Sequence, residues 1–151
     1  MAYWLFKTEP DEFSIDDLAG LKGRPEPWNG IRNYQARNLL RDQVRAGDQV
    51  FIYHSSCRRV GIAGIAEVVR AAYPDPDQFN PESKYFDPGA GLEEPRWFCV
   101  DVVFRRKFPR LIPLAALKRQ AALADMVLLK QGRLSVQPVT AEEWQLILRL
   151  R

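Results

Sequence analysis

Eleven residues, Trp28 to Asn38, read W-N-G-I-R-N-Y-Q-A-R-N and hold a Trp, a Tyr, three Asn, a Gln and two Arg. Flat aromatic faces stack on bases, amides read base edges, and guanidinium forks hold phosphates. Gly30 lets the backbone turn sharply and set Trp28 across a pocket wall. Asn33, placed to cap the following helix, leaves free backbone N–H groups beside it that attract an anion or a base carbonyl. Trp28 alone would suit a core and Asn33 alone a plain cap. The ensemble of Trp28, Asn29, Arg32, Asn33, Tyr34 and Arg37 carries more amides and guanidiniums than a core uses, and points to a nucleotide.

Other polar groups are weaker candidates. Tyr53-His54-Ser55-Ser56 ends a β-rich run, where side chains project into a site. Adjacent strand residues face opposite ways, so His54 and Ser55 do not form a nucleophile and its base. Polar recognition is the better reading. Lys7 and Glu9 form an acid–base pair of a kind that strand ends carry routinely. Gly132–Pro138 reads as a connector by composition. Cys57 and Cys99 lack zinc-type spacing and His54 is the one histidine, so neither metal nor cofactor is expected and the thiols are expected free.

The elements that must position these groups follow from pattern. Tyr3–Thr8 alternates as a strand, with Tyr3, Leu5 and Lys7 opposite Trp4 and Phe6. Ser14 and Thr140 open helices with capping boxes. A helix is expected from Asn33 to Val44, carrying Leu39, Leu40 and Val44 on one face and Arg37, Arg41 and Arg45 on another. Gln49–His54, Val60–Val69 and Trp97–Lys107 read as strands, the second bent at its glycines. Pro113–Gln120 reads as a helix and Met126–Leu129 as a short strand or extended segment. The 24 residues from Tyr73 to Arg96 hold five of the eleven prolines, and their Phe79, Lys84, Tyr85 and Phe86 favour an ordered lid.

At 151 residues and 46% hydrophobic, the chain suits one α+β domain spanning 1–151. No run approaches a membrane span, and Tyr3–Phe6 is too short for a signal peptide, so a cytoplasmic protein is expected, or a nuclear one in a eukaryote. The net charge of +3 is uneven. Residues 29–70 set seven Arg against Asp42, Asp48 and Glu67, and 97–139 set eight Lys or Arg against Asp101 and Asp125. If those segments share a face they would steer a polyanion; solvated surface charge is the alternative.

The order of motifs resembles the EVE domain family, in particular its thymocyte nuclear protein group and bacterial counterparts. The matching residues are Tyr3–Pro10, Trp28–Asn38, Tyr53–Ser55, Gly61–Gly64, Tyr73–Asp75, Tyr85–Pro88, Trp97–Val102 and Arg133–Val139. The resemblance implies a PUA-like small β-barrel with peripheral helices, related to YTH and ASCH domains. It also implies a reader of a flipped-out modified base, with modified cytosine in DNA the leading candidate and RNA the other partner. Trp28 would be the aromatic wall, and Asn29, Gly30, Arg32, Asn33 and Tyr34 the adjoining edge readers. Tyr53, His54 and Ser55 would face them, and Leu134, Ser135 and Val136 would close the floor. Lys7, Arg37, Arg41 and Lys84 are the expected phosphate contacts. Where the family usually has Asp, this chain has Asn29, which can donate as well as accept. The ASCH relationship raises an alternative, a small amidohydrolase-like enzyme acting on modified nucleosides through Lys7, Glu9 or Glu67.

Overall fold

The computed structural model describes residues 1–151 as six strands and five α-helices. The strands are β1 (Tyr3–Thr8), β2 (Glu26–Trp28), β3 (Gln49–His54), β4 (Gly61–Pro74), β5 (Phe98–Pro113) and β6 (Val136–Val139). The helices are α1 (Ile15–Gly20), α2 (Tyr34–Asp42), α3 (Leu114–Lys118), α4 (Val127–Lys130) and α5 (Ala141–Leu150). One sheet takes all six strands in the order β2-β5-β4-β3-β1-β6. β1 and β3 are parallel, with Lys7 beside Tyr53 and Thr8 beside His54. The other neighbours are antiparallel.

The PUA-like α+β architecture is as expected, but the barrel is not closed. Closure needs the two edge strands to pair, and β2 and β6 each have a single partner. Curvature comes instead from four register shifts between the long strands β4 and β5, since each bulge adds local bend and twist. Gly64 sits at one of them because a Cβ there would lie 2.2 Å from the Arg106 carbonyl oxygen.

Both faces of the sheet are covered, which explains the apolar residues on each side of β1 and β3. Trp4, Phe6, Val50 and Ile52 pack with Ile15 and Leu18 of α1 and Ala36 and Leu40 of α2. Leu5, Phe51 and Tyr53 pack on the other side with Phe108 and with Trp144 and Ile147 of α5. The rings of Phe51 and Trp144 stack 3.7 Å apart.

Ser14 and Thr140 form the expected capping boxes, and Asn33 caps α2 by accepting from the Ala36 N–H. Met126–Leu129 is not extended: Val127–Lys130 is a helical turn. A short apolar run has no period to separate strand from helix. The β4–β5 connection is ordered by the fully buried Gln78, which donates to the Asp75 and Trp97 carbonyls at 2.8 Å and accepts from the Arg96 and Trp97 N–H groups at 3.0 Å. Three of the four bonds its amide makes tie the start of the loop to its end. No helix is long and apolar enough to cross a membrane.

Candidate functional site

The parallel pairing of β1 and β3 brings their C-terminal ends to the same end of the sheet, where antiparallel β6 begins. β2 stops nearby at Trp28. Around these four ends lies an open cavity of about 730 Å³. β1 contributes Lys7 and Thr8, the chain after β3 contributes Ser55 and Ser56, and the approach to β6 contributes Gly132, Arg133 and Ser135. Glu26 to Gly30 form another wall, Glu12 and Phe13 a third, and Lys84 and Tyr85 reach in from the long loop. Ser56 takes a φ of 52°, which turns the chain away from β3 at the rim.

Trp28 is buried, with Phe6 behind it at 5.9 Å and Phe13 edge-on at 6.1 Å. Such packing fixes its ring and leaves only its outer margin to the cavity. Gly30, at φ +79°, allows the close approach of the second aromatic: a Cβ there would lie 2.7 Å from the Tyr85 ring. The Gly30 N–H donates to Asp75 Oδ2 at 2.9 Å.

Both signs of charge line the cavity. Lys7 donates through Nζ to the Gly132 carbonyl and lies 5.2 Å from the Tyr53 ring centre; burial lowers its pKa. Lys84 is 2.5 Å from Glu12, and that hydrogen bond raises its pKa. Glu26 is pushed up by burial and then by the charge of Asp101, so it favours the neutral acid more than a free glutamate does. No cluster of three or more His, Cys, Asp or Glu is placed to hold a metal ion.

Of the residues expected from sequence, Trp28, Asn29, Gly30, Ser55, Ser135, Lys7 and Lys84 are brought together here. Glu9, expected only for the enzyme alternative, lines it too, and the other expected residues do not. Arg32 donates through Nε and Nη2 to the Tyr85 carbonyl at 3.1 and 2.9 Å, and through Nη1 to Asp75 at 3.0 Å. Asn33 is occupied by its cap. Tyr34 stacks on Trp97 at 4.9 Å, and Arg37 lies over Tyr34 while donating to the Arg96 carbonyl. Arg41 pairs with Asp42 at 2.8 Å. Tyr53, Leu134 and Val136 are buried in the two cores. His54 accepts the Ile15 N–H at Nε2, 3.1 Å, at the start of α1. The polar groups of Arg32, Asn33, Arg37 and His54 are taken by backbone carbonyls, the buried Asp75 and the starts of α1 and α2, which need partners.

Thr8, Glu12, Phe13, Glu26, Pro27, Ser56, Tyr85, Gly132 and Arg133 complete the lining. Tyr85 and Arg133 had a signal in the sequence, lying in the aromatic loop and in the connector before β6. Glu12, Phe13 and Glu26 had none, since only the meeting of strand ends places them.

A curled, open α+β sheet with a mixed-charge cavity across its strand ends defines a PUA-like domain. The family profile of the EVE domain matches residues 2–150, and the chain belongs to that family. Human thymocyte nuclear protein 1 is 42% identical over 166 residues, covering 99% of this chain and 73% of its own. A protein of Pseudomonas putida known by crystal structure is 53% identical with a TM-score of 0.94, covering 99% of both chains. The crystal structure of human THYN1 in complex with 5-methylcytosine containing DNA superposes with a TM-score of 0.93 at 40% identity, covering 99% of this chain and 97% of that one.

Proposed function

We propose that this protein binds DNA carrying a modified cytosine, 5-methylcytosine foremost, and holds that base turned out of the helix in the cavity beside Trp28. The observation that carries the reading is the cavity itself: large enough for a base, walled by Trp28 and Tyr85, and rimmed by Lys7, Lys84 and Arg133. The DNA complex of the human relative, alike over nearly the whole chain, supports the ligand class.

In this arrangement Trp28 and Tyr85 flank the base, Asn29, Ser55 and Ser135 meet its polar edge, and Arg133, the rim cation not engaged by the chain, holds a neighbouring phosphate. Flipping costs a few kcal/mol, and stacking returns roughly 1–3 kcal/mol per base. A buried methyl adds about 0.8 kcal/mol, or roughly fourfold in affinity, so the methyl alone discriminates modestly and polar contacts must supply the rest.

Binding rather than turnover is favoured by how the reactive groups are engaged. His54 and Glu67 do not line the cavity, Lys84 pairs with Glu12, and Lys7 donates to a carbonyl, so of Lys7, Glu9 and Glu67 only Glu9 stands there unpaired. The test is an anisotropy titration at fixed salt of wild type and Trp28→Ala against duplexes carrying 5-methylcytosine or cytosine. Trp28→Ala should lose at least about fivefold for the modified duplex, the lower bound for one stacking partner. Unchanged affinity overturns the pocket assignment. Chemical change of the modified base during the titration, abolished in Lys7→Ala, would instead establish the amidohydrolase reading.

A further inference from the structure

We infer that Asp77 fixes the side-chain amide of Asn29 so that the pair presents an acceptor to the cavity, selecting a base with an exocyclic amine over one with a carbonyl at the same position. This rests on the reading of the cavity as a base site and names how that site tells bases apart.

An asparagine has a donor end and an acceptor end, and either can face a ligand. A carboxylate accepts only, so the neighbour of Asn29 decides which. Asn29 Nδ2 donates to Asp77 Oδ2 at 2.8 Å. Oδ1 takes no hydrogen bond from the chain, and Asn29 lines the cavity.

The contact is held on both sides by one buried carboxylate. Asp75 is fully buried; its Oδ1 accepts the Asp77 N–H at 2.8 Å and its Oδ2 accepts the N–H of Gly30, the residue after Asn29, at 2.9 Å. Arg32 neutralises Asp75 at 3.0 Å. Rotating the Asn29 amide would face its oxygen to Asp77, two acceptors in contact and no hydrogen bond. The chain therefore obtains from an amide the acceptor that an aspartate offers without orientation.

5-Methylcytosine and thymine share the 5-methyl group and differ at position 4, an amine in the first and a carbonyl in the second. An apolar wall cannot separate them. An oriented acceptor does, bonding the amine and opposing the carbonyl, and so it excludes the product that deamination of 5-methylcytosine would leave.

The experiment compares wild type, Asp77→Asn and the exchanged pair Asn29→Asp/Asp77→Asn on duplexes with 5-methylcytosine or thymine opposite the same guanine. The flipping cost of each duplex is common to all three proteins, so the change in the affinity ratio reads the contact. Asp77→Asn should lower the 5-methylcytosine to thymine ratio about three- to tenfold, the factor of one net hydrogen bond. The exchanged pair reverses donor and acceptor, restores an acceptor at position 29, and should return the ratio to within about twofold of wild type, well inside that factor. A ratio that Asp77→Asn leaves unchanged while 5-methylcytosine is still bound overturns this inference alone. A ratio lost and not restored by the exchange makes the contact merely structural and also overturns it. Should Asp77→Asn fail to fold, a lost ratio in the exchanged pair is decisive by itself. No binding of 5-methylcytosine DNA by wild type overturns the inference and the proposed function together.

Discussion

Trp28, Asn29 and Gly30 line the cavity, whereas Arg32, Asn33 and Arg37 are engaged by other parts of the chain, and the exposed Tyr34 stacks on Trp97. The first three end an edge strand, where backbone pairing stops and side chains meet open space. The others adjoin a helix start and a buried loop, both of which hold polar groups in need of partners. Asn33 is consumed by the α2 cap, and Arg32 by the Tyr85 carbonyl and the buried Asp75. Residues of one chemical type thus divide between cavity wall and scaffold by what lies next to them. The same division recurs after β3, where His54 serves α1 and Ser55 faces the cavity.

The largest effect expected from the scaffold half is that of Arg32→Ala. It leaves the Asp75 carboxylate buried without its cation and frees the Tyr85 loop, at a cost of roughly 3 kcal/mol in stability by urea denaturation. Arg32→Lys should rescue only part of this, because an ammonium cannot make the forked bonds to the Tyr85 carbonyl. A stable Arg32→Ala protein that had lost DNA binding would move Arg32 to the ligand half and break the comparison.

A smaller effect separates the cations. Arg133→Ala should reduce the slope of log affinity against log salt by about 1, and Arg41→Ala should leave it unchanged, because Arg41 is paired with Asp42. Equal slopes for the two variants would mean that the rim of the cavity is not where phosphates sit.

The smallest is the pH response of His54, whose pKa is lowered chiefly by burial from its ordinary 6.5. The unfolded chain takes up the proton first as pH falls. The stability tied to the neutral ring is therefore complete above pH 6.5 and is lost as pH falls below it towards the lower folded value. Melting temperature should fall more for wild type than for His54→Gln between about pH 7 and pH 5. Parallel curves would show that the Ile15 N–H does not depend on the ring's lone pair.

Much of the fold was legible. Alternation marked β1 and β5, β-rich composition marked β3, and the capping residues Ser14, Asn33 and Thr140 marked three helix starts, because such signals are local. The four-residue turn of α4 was read as extended, for want of a period. Sheet closure was expected and absent, since whether edge strands meet depends on bulges that single strands do not announce. In the site, Trp28, Asn29 and Gly30 stood out by composition. Glu12, Phe13 and Glu26 did not, being ordinary residues of the turn after β1 and the start of β2.

By itself the sequence determined an EVE-type α+β fold with an aromatic and amide cluster, because periodicity, caps and residue chemistry are written in neighbouring positions. The tertiary structure decided which members of that cluster are free to bind. Asp75, Asp77 and Tyr85 lie more than forty residues from Asn29 and Arg32, and only their contact commits Arg32 to the scaffold and turns the Asn29 amide. Hydrogen-bond partners are assigned in space, where each buried donor or acceptor takes the nearest complement, and that competition has no trace in the order of the residues.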